Sequence, residues 1–395
     1  VKEKKLLIRP IPYSDEAPNG VLLRAAQENG WPEPRALLRS YATEYRRSLF
    51  TDSAYLQRCL DVLGVESDAC LHIFEMLRGG KLVNFANGLL LPFLFLRVET
   101  APVCPACLTE HNYLRKAWCL RLRCCCDVHH CMLLFNCPKC KETLGGQRRG
   151  PSTCGCGFDF RTAEASSMSH GCAEILRALD SGHVNKIMGI ATLFGWLEEA
   201  DITRKAEDAE WSDAAVALYR NDERAVQYLV DIVHRGSGRE HPRITLKNFL
   251  STDGHVREIA KKALAQVQLR RSTGPPALPL EGVMSWSETK AALGLVSDGE
   301  LHAIWKLCLV SGVTRDRRHA FTRESVNALL WKLSCSVSAL YDSHVGLQHT
   351  RLTSSGLARL VLRALRDTSV VPFFELRYGI STLRLIESAA HIGVD

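Results

Sequence analysis

Eleven of the sixteen cysteines in this 395-residue chain fall between Cys104 and Cys156. They form two successive sets of paired ligands. The first is Cys104-Pro-Ala-Cys107, followed about twenty residues later by Cys126-Asp-Val-His129; the second is Cys137-Pro-Lys-Cys140 followed by Cys154-Gly-Cys156. A pair two residues apart on a tight turn aims both side chains at one point, and two such pairs supply the corners of a tetrahedron. Zn²⁺ accepts that geometry from thiolate and imidazole. The spacing therefore predicts two Zn²⁺ sites with four protein ligands each. No position is left open for water, so the metals are expected to be structural. Disulfides would need an oxidising compartment. A redox Cys-x-x-Cys needs a βαβ frame, and this stretch reads as loop. An iron–sulfur cluster is the remaining alternative for such spacing. Two choices stay open. Cys124, Cys125 and Cys126 are consecutive and His130 follows His129, so the two-residue gap favours Cys126 with His129 without deciding it. The Cys154-x-Cys156 gap is tighter than usual for the second site.

Other catalytic patterns are missing. Gly79-Gly80-Lys81 lacks the upstream glycine and the Ser/Thr of a phosphate loop, and there is no His-Glu-x-x-His. No Ser/His/Asp arrangement rises above chance, so no enzymatic activity is expected. The apolar fraction of 46% is ample for packed cores, and the length predicts two or three domains. The longest uncharged apolar run, Leu89 to Leu96, is far too short to span a bilayer. The opening Val-Lys-Glu-Lys-Lys has no apolar signal region, and the expected location is the cytoplasm. A formal charge of +7 permits contact with nucleic acid without requiring it.

The elements that must carry these ligands read as mainly α. An apolar stripe through Leu22, Leu23, Ala25 and Ala26 breaks at Asn29-Gly30. Leu56, Cys59, Leu60 and Leu63 form a second stripe that stops at Gly64, and Cys70, Ile73, Phe74 and Leu77 continue the helical spacing. Helix, glycine turn, helix is the outline of a helix-turn-helix. We expect an N-terminal helical domain over 1–100 and tandem zinc-ribbon or zinc-finger modules over 101–165, with Glu142 to Thr153 as the hinge of the second site. A helical bundle over 166–270 follows, with Val226, Leu229, Val230 and Val233 on one face. After a Pro-rich linker, 283–395 forms a C-terminal helical domain. Within it, Ser287 caps one helix and Ser297 opens another. Thr314 to Phe321 forms a hairpin or wing, and Thr322 caps a third helix. That order resembles an excisionase-type winged helix-turn-helix. Its second helix would offer Glu300, His302 and Lys306 to a groove, and its wing would offer Arg315, Arg317 and Arg318 to phosphates. Leu357, Leu360, Val361, Ala364 and Leu365 suggest a last helix with Arg359, Arg363 and Arg366 on its other face.

Several of these residues together resemble the TniQ family. The opening Arg9-Pro10-Ile-Pro12-Tyr13-Ser-Asp-Glu16, with Leu23-Arg24-Ala25 and Asn29-Gly30, is similar to the start of TniQ proteins. So is the combination Cys104-Pro-x-Cys107-Leu-x-Glu110, Tyr113, Trp118, Cys126-x-x-His129, Leu133-Leu134 and Cys137-Pro-x-Cys140. The resemblance covers roughly residues 6 to 160. One departure is that Cys125, Cys126 and Asp127 stand where Cys-Pro-x-His is usual. The resemblance implies a non-catalytic target-selection factor of a Tn7-like transposon. The chain length is most like the TniQ of type I-F CRISPR-associated transposons. By that resemblance the partners would be a second copy of the chain in a homodimer, the crRNA-processing subunit of Cascade with its neighbouring backbone subunit, the crRNA, and the transposition AAA+ ATPase. DNA contact remains possible, and a membrane is not expected. The alternative is a sequence-specific DNA-binding target selector of the TnsD type.

Overall fold

A computed structural model describes residues 5–77, 79–85, 89–201, 208–236, 240–267, 282–293, 298, 301–302, 305, 310–315, 318–330, 370–374 and 383–387. The described chain is mainly helical and divides into two compact units. One comprises residues 1–192 with 207–216, the other 193–206 with 217–395. No described helix is long and apolar enough to cross a membrane.

The first unit begins with three short helices whose ends follow from local chemistry. Helix α1 (Pro18–Glu28) and helix α2 (Pro34–Ser40) both have proline in the first turn. There the missing N–H has no intrahelical partner to lose, and the fixed φ is already helical. Helix α3 (Ser53–Leu63) starts where the Asp52 carboxylate accepts the Tyr55 N–H at 2.9 Å. It stops at Gly64, whose φ of 70° is the left-handed conformation that glycine adopts without steric cost. Val21, Leu22, Leu23, Leu37, Leu38, Leu56 and Leu60 are all fully buried.

The segment after α3 departs from expectation. Cys70, Ile73, Phe74 and Leu77 have helical spacing, yet only a 3₁₀ turn forms at Ala69–Leu71. Three antiparallel strands follow: β1 (Glu75–Leu77), β2 (Leu82–Asn84) and β3 (Leu90–Pro92), in the order β1-β2-β3. Gly79 and Gly80, at φ 65° and 82°, reverse the chain so that Leu77 pairs with Leu82. A short apolar run cannot by its period alone distinguish helix from strand, and here the paired glycines decide. The second helix of the expected N-terminal helix-turn-helix is thus absent from this position.

Helix α4 (Pro105–Glu110) opens the cysteine-rich segment, and helix α5 (His170–Asp180) follows it. Residues from Leu6 to Phe160 share one hydrophobic core, in which Leu22, Leu56 and Phe74 belong with Cys104, Cys107, Cys126 and Cys137. Helix α6 (Val184–Ala200) and helix α7 (Asp208–Tyr219) contribute residues to both units.

In the second unit, helix α8 (Arg224–Arg235) buries Leu229, Val230 and Val233, as its spacing predicts. Two single turns, α9 (Pro242–Thr245) and α10 (Lys247–Leu250), lead to α11 (His255–Gln266). Strand β4 (Val283–Ser285) precedes helix α12 (Trp286–Leu293). The cap hydroxyl is that of Ser285, which accepts the Glu288 N–H at 3.3 Å, rather than Ser287. The expected hairpin is present as β5 (Gly312–Arg315) and β6 (Arg318–Thr322), with β6 between β4 and β5. Thr322 Oγ1 then accepts the Ser325 N–H at 3.4 Å, at the start of the helical residues 323–330. Strands β7 (Val370–Phe374) and β8 (Leu383–Glu387) pair antiparallel. The expected helix through Leu357 to Arg366 lies outside the described residues, as do Ser297 and Glu300.

Candidate metal centre

The first cluster is built from one helix start and one tight turn. Cys104 is the N-cap of α4, Pro105 opens the helix, and Cys107 lies one turn along it. The opposite half is a hairpin, closed where the Cys126 N–H donates to the Cys131 carbonyl at 2.8 Å. His130, at φ 48°, turns the chain back after His129. The His129 N–H also donates to the Cys126 sulfur at 3.4 Å.

Cys104, Cys107, Cys126 and His129 thereby bring their ligand atoms within 4.8 Å of one another. The Cys107 and Cys126 sulfurs are 3.5 Å apart. His129 Nδ1 lies 3.6 Å from the Cys104 sulfur, 3.2 Å from that of Cys107 and 3.7 Å from that of Cys126. A tetrahedron with Zn–S near 2.3 Å and Zn–N near 2.05 Å has S–S edges of about 3.8 Å and S–N edges of about 3.6 Å. Disulfide bonding would need sulfurs about 2.05 Å apart. The observed edges therefore fit a shared tetrahedral cation and exclude a disulfide between Cys107 and Cys126.

Electrostatics agree with this fit. The Cys107 hydrogen bond favours the Cys104 thiolate, but contact with Cys126 and burial outweigh it and push Cys104 up to about 12. Its two sulfur neighbours, Cys104 and then Cys126, drive Cys107 up. Hydrogen bonds from Cys104 and Cys107 bring Cys126 down. Three thiols this close cannot all ionise unless a cation sits among them, which is the charge state that Zn²⁺ imposes on its ligands. His129 Nε2 faces Glu110 Oε1 at 3.0 Å. That carboxylate, the main cause of the raised His129 pKa, holds Nε2 protonated and leaves Nδ1 to point at the sulfurs.

The second cluster lies at the tips of two small hairpins. The bridge Asn136↔Thr143 closes one and Thr153↔Asp159 the other. Lys141 (φ 64°) and Gly157 (φ 87°) are the left-handed residues that reverse each tip. Cys137, Cys140, Cys154 and Cys156 converge, with sulfurs 3.7 Å apart for Cys137 and Cys156 and again for Cys140 and Cys154. The tight Cys154-x-Cys156 gap is accommodated because the Gly157 N–H closes a turn onto the Cys154 carbonyl at 3.0 Å. Burial works against the Cys137 thiolate, but the backbone N–H groups of Cys140 and Lys139 bring it down to about 7.

All eight residues chosen by spacing are thus brought together, four and four. In the first cluster it is Cys126 and His129 that converge with Cys104 and Cys107. The Cys124 sulfur is 3.2 Å from the Arg121 carbonyl, and that of Cys125 is 3.7 Å from the Cys172 carbonyl, both away from the cluster. Both belong instead to a separate apolar group with Cys172 and Leu176.

Sequence reasoning missed two arginines that hold this segment in place. The buried Arg97 donates to the carbonyls of Trp118, Leu120 and Arg121, each at 2.8 Å, and to that of Arg123 at 3.1 Å. It thereby fixes the stretch that leads into Cys126. Arg148 organises the expected hinge by donating to the carbonyls of Ala101, Gly145, Gly150 and Pro151. Nothing in the local sequence marks either residue, because their acceptors are scattered backbone carbonyls.

The expected nucleic-acid contacts are placed only in part. Arg315 and Arg318 are register partners at the end of the β5–β6 hairpin, whereas Lys306 and Arg317 lie outside the described residues. His302 is exposed on a helical residue, with its ring 5.6 Å from that of Trp305.

Residues 7–133 match the TniQ family model. Over those residues the chain is similar to the TniQ family. The match takes in the whole first cluster, and the second lies just beyond it. A comparison with curated proteins gives no match. The TniQ domain points to target selection in Tn7-like transposition.

The structure gives the TniQ-like residues of the sequence physical roles. Glu16 and Arg24 form a buried ion pair, with 2.9 and 2.7 Å hydrogen bonds. Asn29 holds the N-terminal segment by exchanging hydrogen bonds with Ile8. Tyr113 donates to Asp15 at 2.7 Å and stacks on Tyr13. Glu110 orients His129. The family pattern is thus largely the wiring of one core that includes the first candidate metal cluster.

Proposed function

We propose that this chain is a non-catalytic target-selection adaptor of an RNA-guided Tn7-like transposon, held in shape by two structural Zn²⁺ ions. The observation that carries the proposal is the TniQ match over residues 7–133, which takes in the first of two four-residue Cys/His clusters, the second following directly after it. Cys104, Cys107, Cys126 and His129 would hold one ion, and Cys137, Cys140, Cys154 and Cys156 the other. With every tetrahedral corner filled by protein, neither metal can activate water, so the metals supply structure.

In this reading the protein acts in the cytoplasm as a homodimer docked on Cascade. It lies beside the crRNA-processing subunit, its neighbouring backbone subunit and the crRNA, and it recruits the AAA+ ATPase. Guide pairing reads the DNA sequence, and the adaptor supplies surfaces. The TniQ-like residues support this version. A pull-down with purified Cascade tests it. Stoichiometric recovery is expected, and failure to recover the chain refutes docking.

A second reading, a direct DNA-binding selector of the TnsD type, draws on the β5–β6 hairpin between helical segments, with Arg315 and Arg318 at its end. A gel-shift series separates the two. A site-specific reader prefers one duplex by orders of magnitude at physiological salt. An adaptor binds weakly, without sequence preference, and loses affinity steeply as salt rises.

A further inference from the structure

We propose that Cys131 is a fifth, reserve ligand of the first metal site, able to take over the corner held by Cys104. The inference rests on the Zn²⁺ reading above. Four cysteines between Cys104 and Cys156 are not among the eight cluster residues: Cys119, Cys124, Cys125 and Cys131. Cys124 and Cys125 face backbone carbonyls away from the site. Cys131 differs, because its sulfur lies 3.6 Å from the Cys104 sulfur. That is the same edge length that separates the ligands themselves, 3.5 Å between Cys107 and Cys126.

Cys131 is 92% buried, at 8% exposure, within the same core as the ligands. Its backbone is fixed on both sides. Its carbonyl accepts the Cys126 N–H at 2.8 Å, and it bridges to Ser167. The sulfur can therefore move by side-chain rotation while the hairpin keeps its place.

The chemistry is a balanced ligand exchange. Zinc tolerates a fifth ligand transiently. The Cys131 sulfur forms a bond to the metal as the bond from Cys104 breaks. The proton leaving Cys131 passes across the 3.6 Å contact to the departing Cys104 sulfur. Three thiolates and one imidazole remain on the metal throughout, and the net charge of the site does not change. In the resting site the Cys131 S–H donates to the Cys104 thiolate and lowers its tendency to dissociate.

The test counts metal per chain on the full-length protein purified in reducing buffer. The wild type should hold two zinc ions, and fewer than two would overturn the Zn²⁺ reading itself. If wild type holds two, Cys104→Ala should still hold two, while Cys104→Ala/Cys131→Ala and Cys126→Ala each fall to one. Cys104→Ala falling to one, like Cys126→Ala, overturns the reserve-ligand proposal and leaves the Zn²⁺ reading intact. With Co²⁺ in place of zinc, Cys104→Ala should keep the absorption bands of a three-sulfur, one-nitrogen site. A second variant retains all four ligands and so does not depend on tolerance of Cys104→Ala. Cys131→Ala should lose metal from the first site to a competing chelator at about tenfold lower chelator concentration, the usual size of an outer-shell effect. An unchanged chelator midpoint overturns the proposal.

Discussion

Replacing Asp208 by asparagine probes the clamp that holds the ligand-bearing segment. Asp208 Oδ2 accepts from Arg97 Nε at 3.1 Å and Nη2 at 2.9 Å, and its Oδ1 accepts from Arg121 Nε at 3.2 Å and Nη2 at 2.7 Å. One carboxylate thus pairs with two guanidinium groups whose side chains are 2% and 16% exposed. Burial alone would raise its pKa, but Arg97 and Arg121 more than offset that and hold it below the usual carboxylate value. The asparagine variant keeps the shape and removes the charge, leaving the buried Arg97 with no anionic partner in this clamp. Breaking a buried pair in this way costs about 3–5 kcal/mol. A slope near 2 kcal/mol per molar converts this to a urea midpoint lower by about 1.5–2.5 M. Equilibrium urea unfolding at pH 7, with zinc in the buffer and tryptophan fluorescence as the signal, measures it. A shift under about 0.3 M, the size expected of an ordinary surface substitution, would refute the claim that this pair holds the segment.

Three further outcomes follow from the geometry. Glu110→Gln keeps an acceptor near His129 Nε2 but loses its charge, so chelator competition should show metal affinity at the first site about tenfold weaker, with the second site unaffected. His130→Gly should retain both metals and raise stability by about 1 kcal/mol in urea unfolding, because His130 sits at φ 48°, where glycine lacks the Cβ penalty. Burial holds His241 neutral, with its pKa down to about 3 against about 6.5 for the unfolded chain. Its contribution is complete above the unfolded value and is lost as pH falls toward 3, amounting to about 1.4 kcal/mol by pH 5.5. His241→Asn retains an acceptor for the Arg243 N–H and should flatten that dependence, read by hydrogen exchange in α9–α11 between pH 7 and 5.5.

What could be read from the sequence was set by how local its cause is. Ligand pairs two residues apart, helix stops at Gly64 and Asn29, and the hairpin between Gly312 and Thr322 are each specified within a few residues, and the structure contains them. The two-residue gap to His129 favours Cys126 over its two neighbours, and the Cys124 and Cys125 sulfurs do lie against backbone carbonyls elsewhere. Failures came where distant partners decide. Cys70 to Leu77 carries a helical period, but pairing with Leu82–Asn84 makes a strand of its last residues. Arg97 and Asp208 are separated by more than a hundred residues, and no local pattern announces a cation whose acceptors are backbone carbonyls. Cys131 looked like one more cysteine in a crowded block until its sulfur was found against that of Cys104.

The shared core would give metals bound at the two clusters a reach beyond their own hairpins. Small ligand-bearing modules bury too little apolar surface to fold alone, and metal binding supplies on the order of 10 kcal/mol to such units. Here Cys104, Cys107 and Cys126 are buried in the same cluster as Leu22, Leu38 and Leu56 of the three N-terminal helices. Gly150 approaches Gln27 of α1 so closely that a Cβ there would lie 2.4 Å from the glutamine side chain. The helices therefore pack on a surface whose shape metals bound at these clusters would fix. Losing the first metal would leave three buried sulfurs without their cation and disturb the floor on which α1 and α3 rest. For the proposed adaptor, which would work by presenting surfaces, metal loading of these clusters would thus be a condition of recognition.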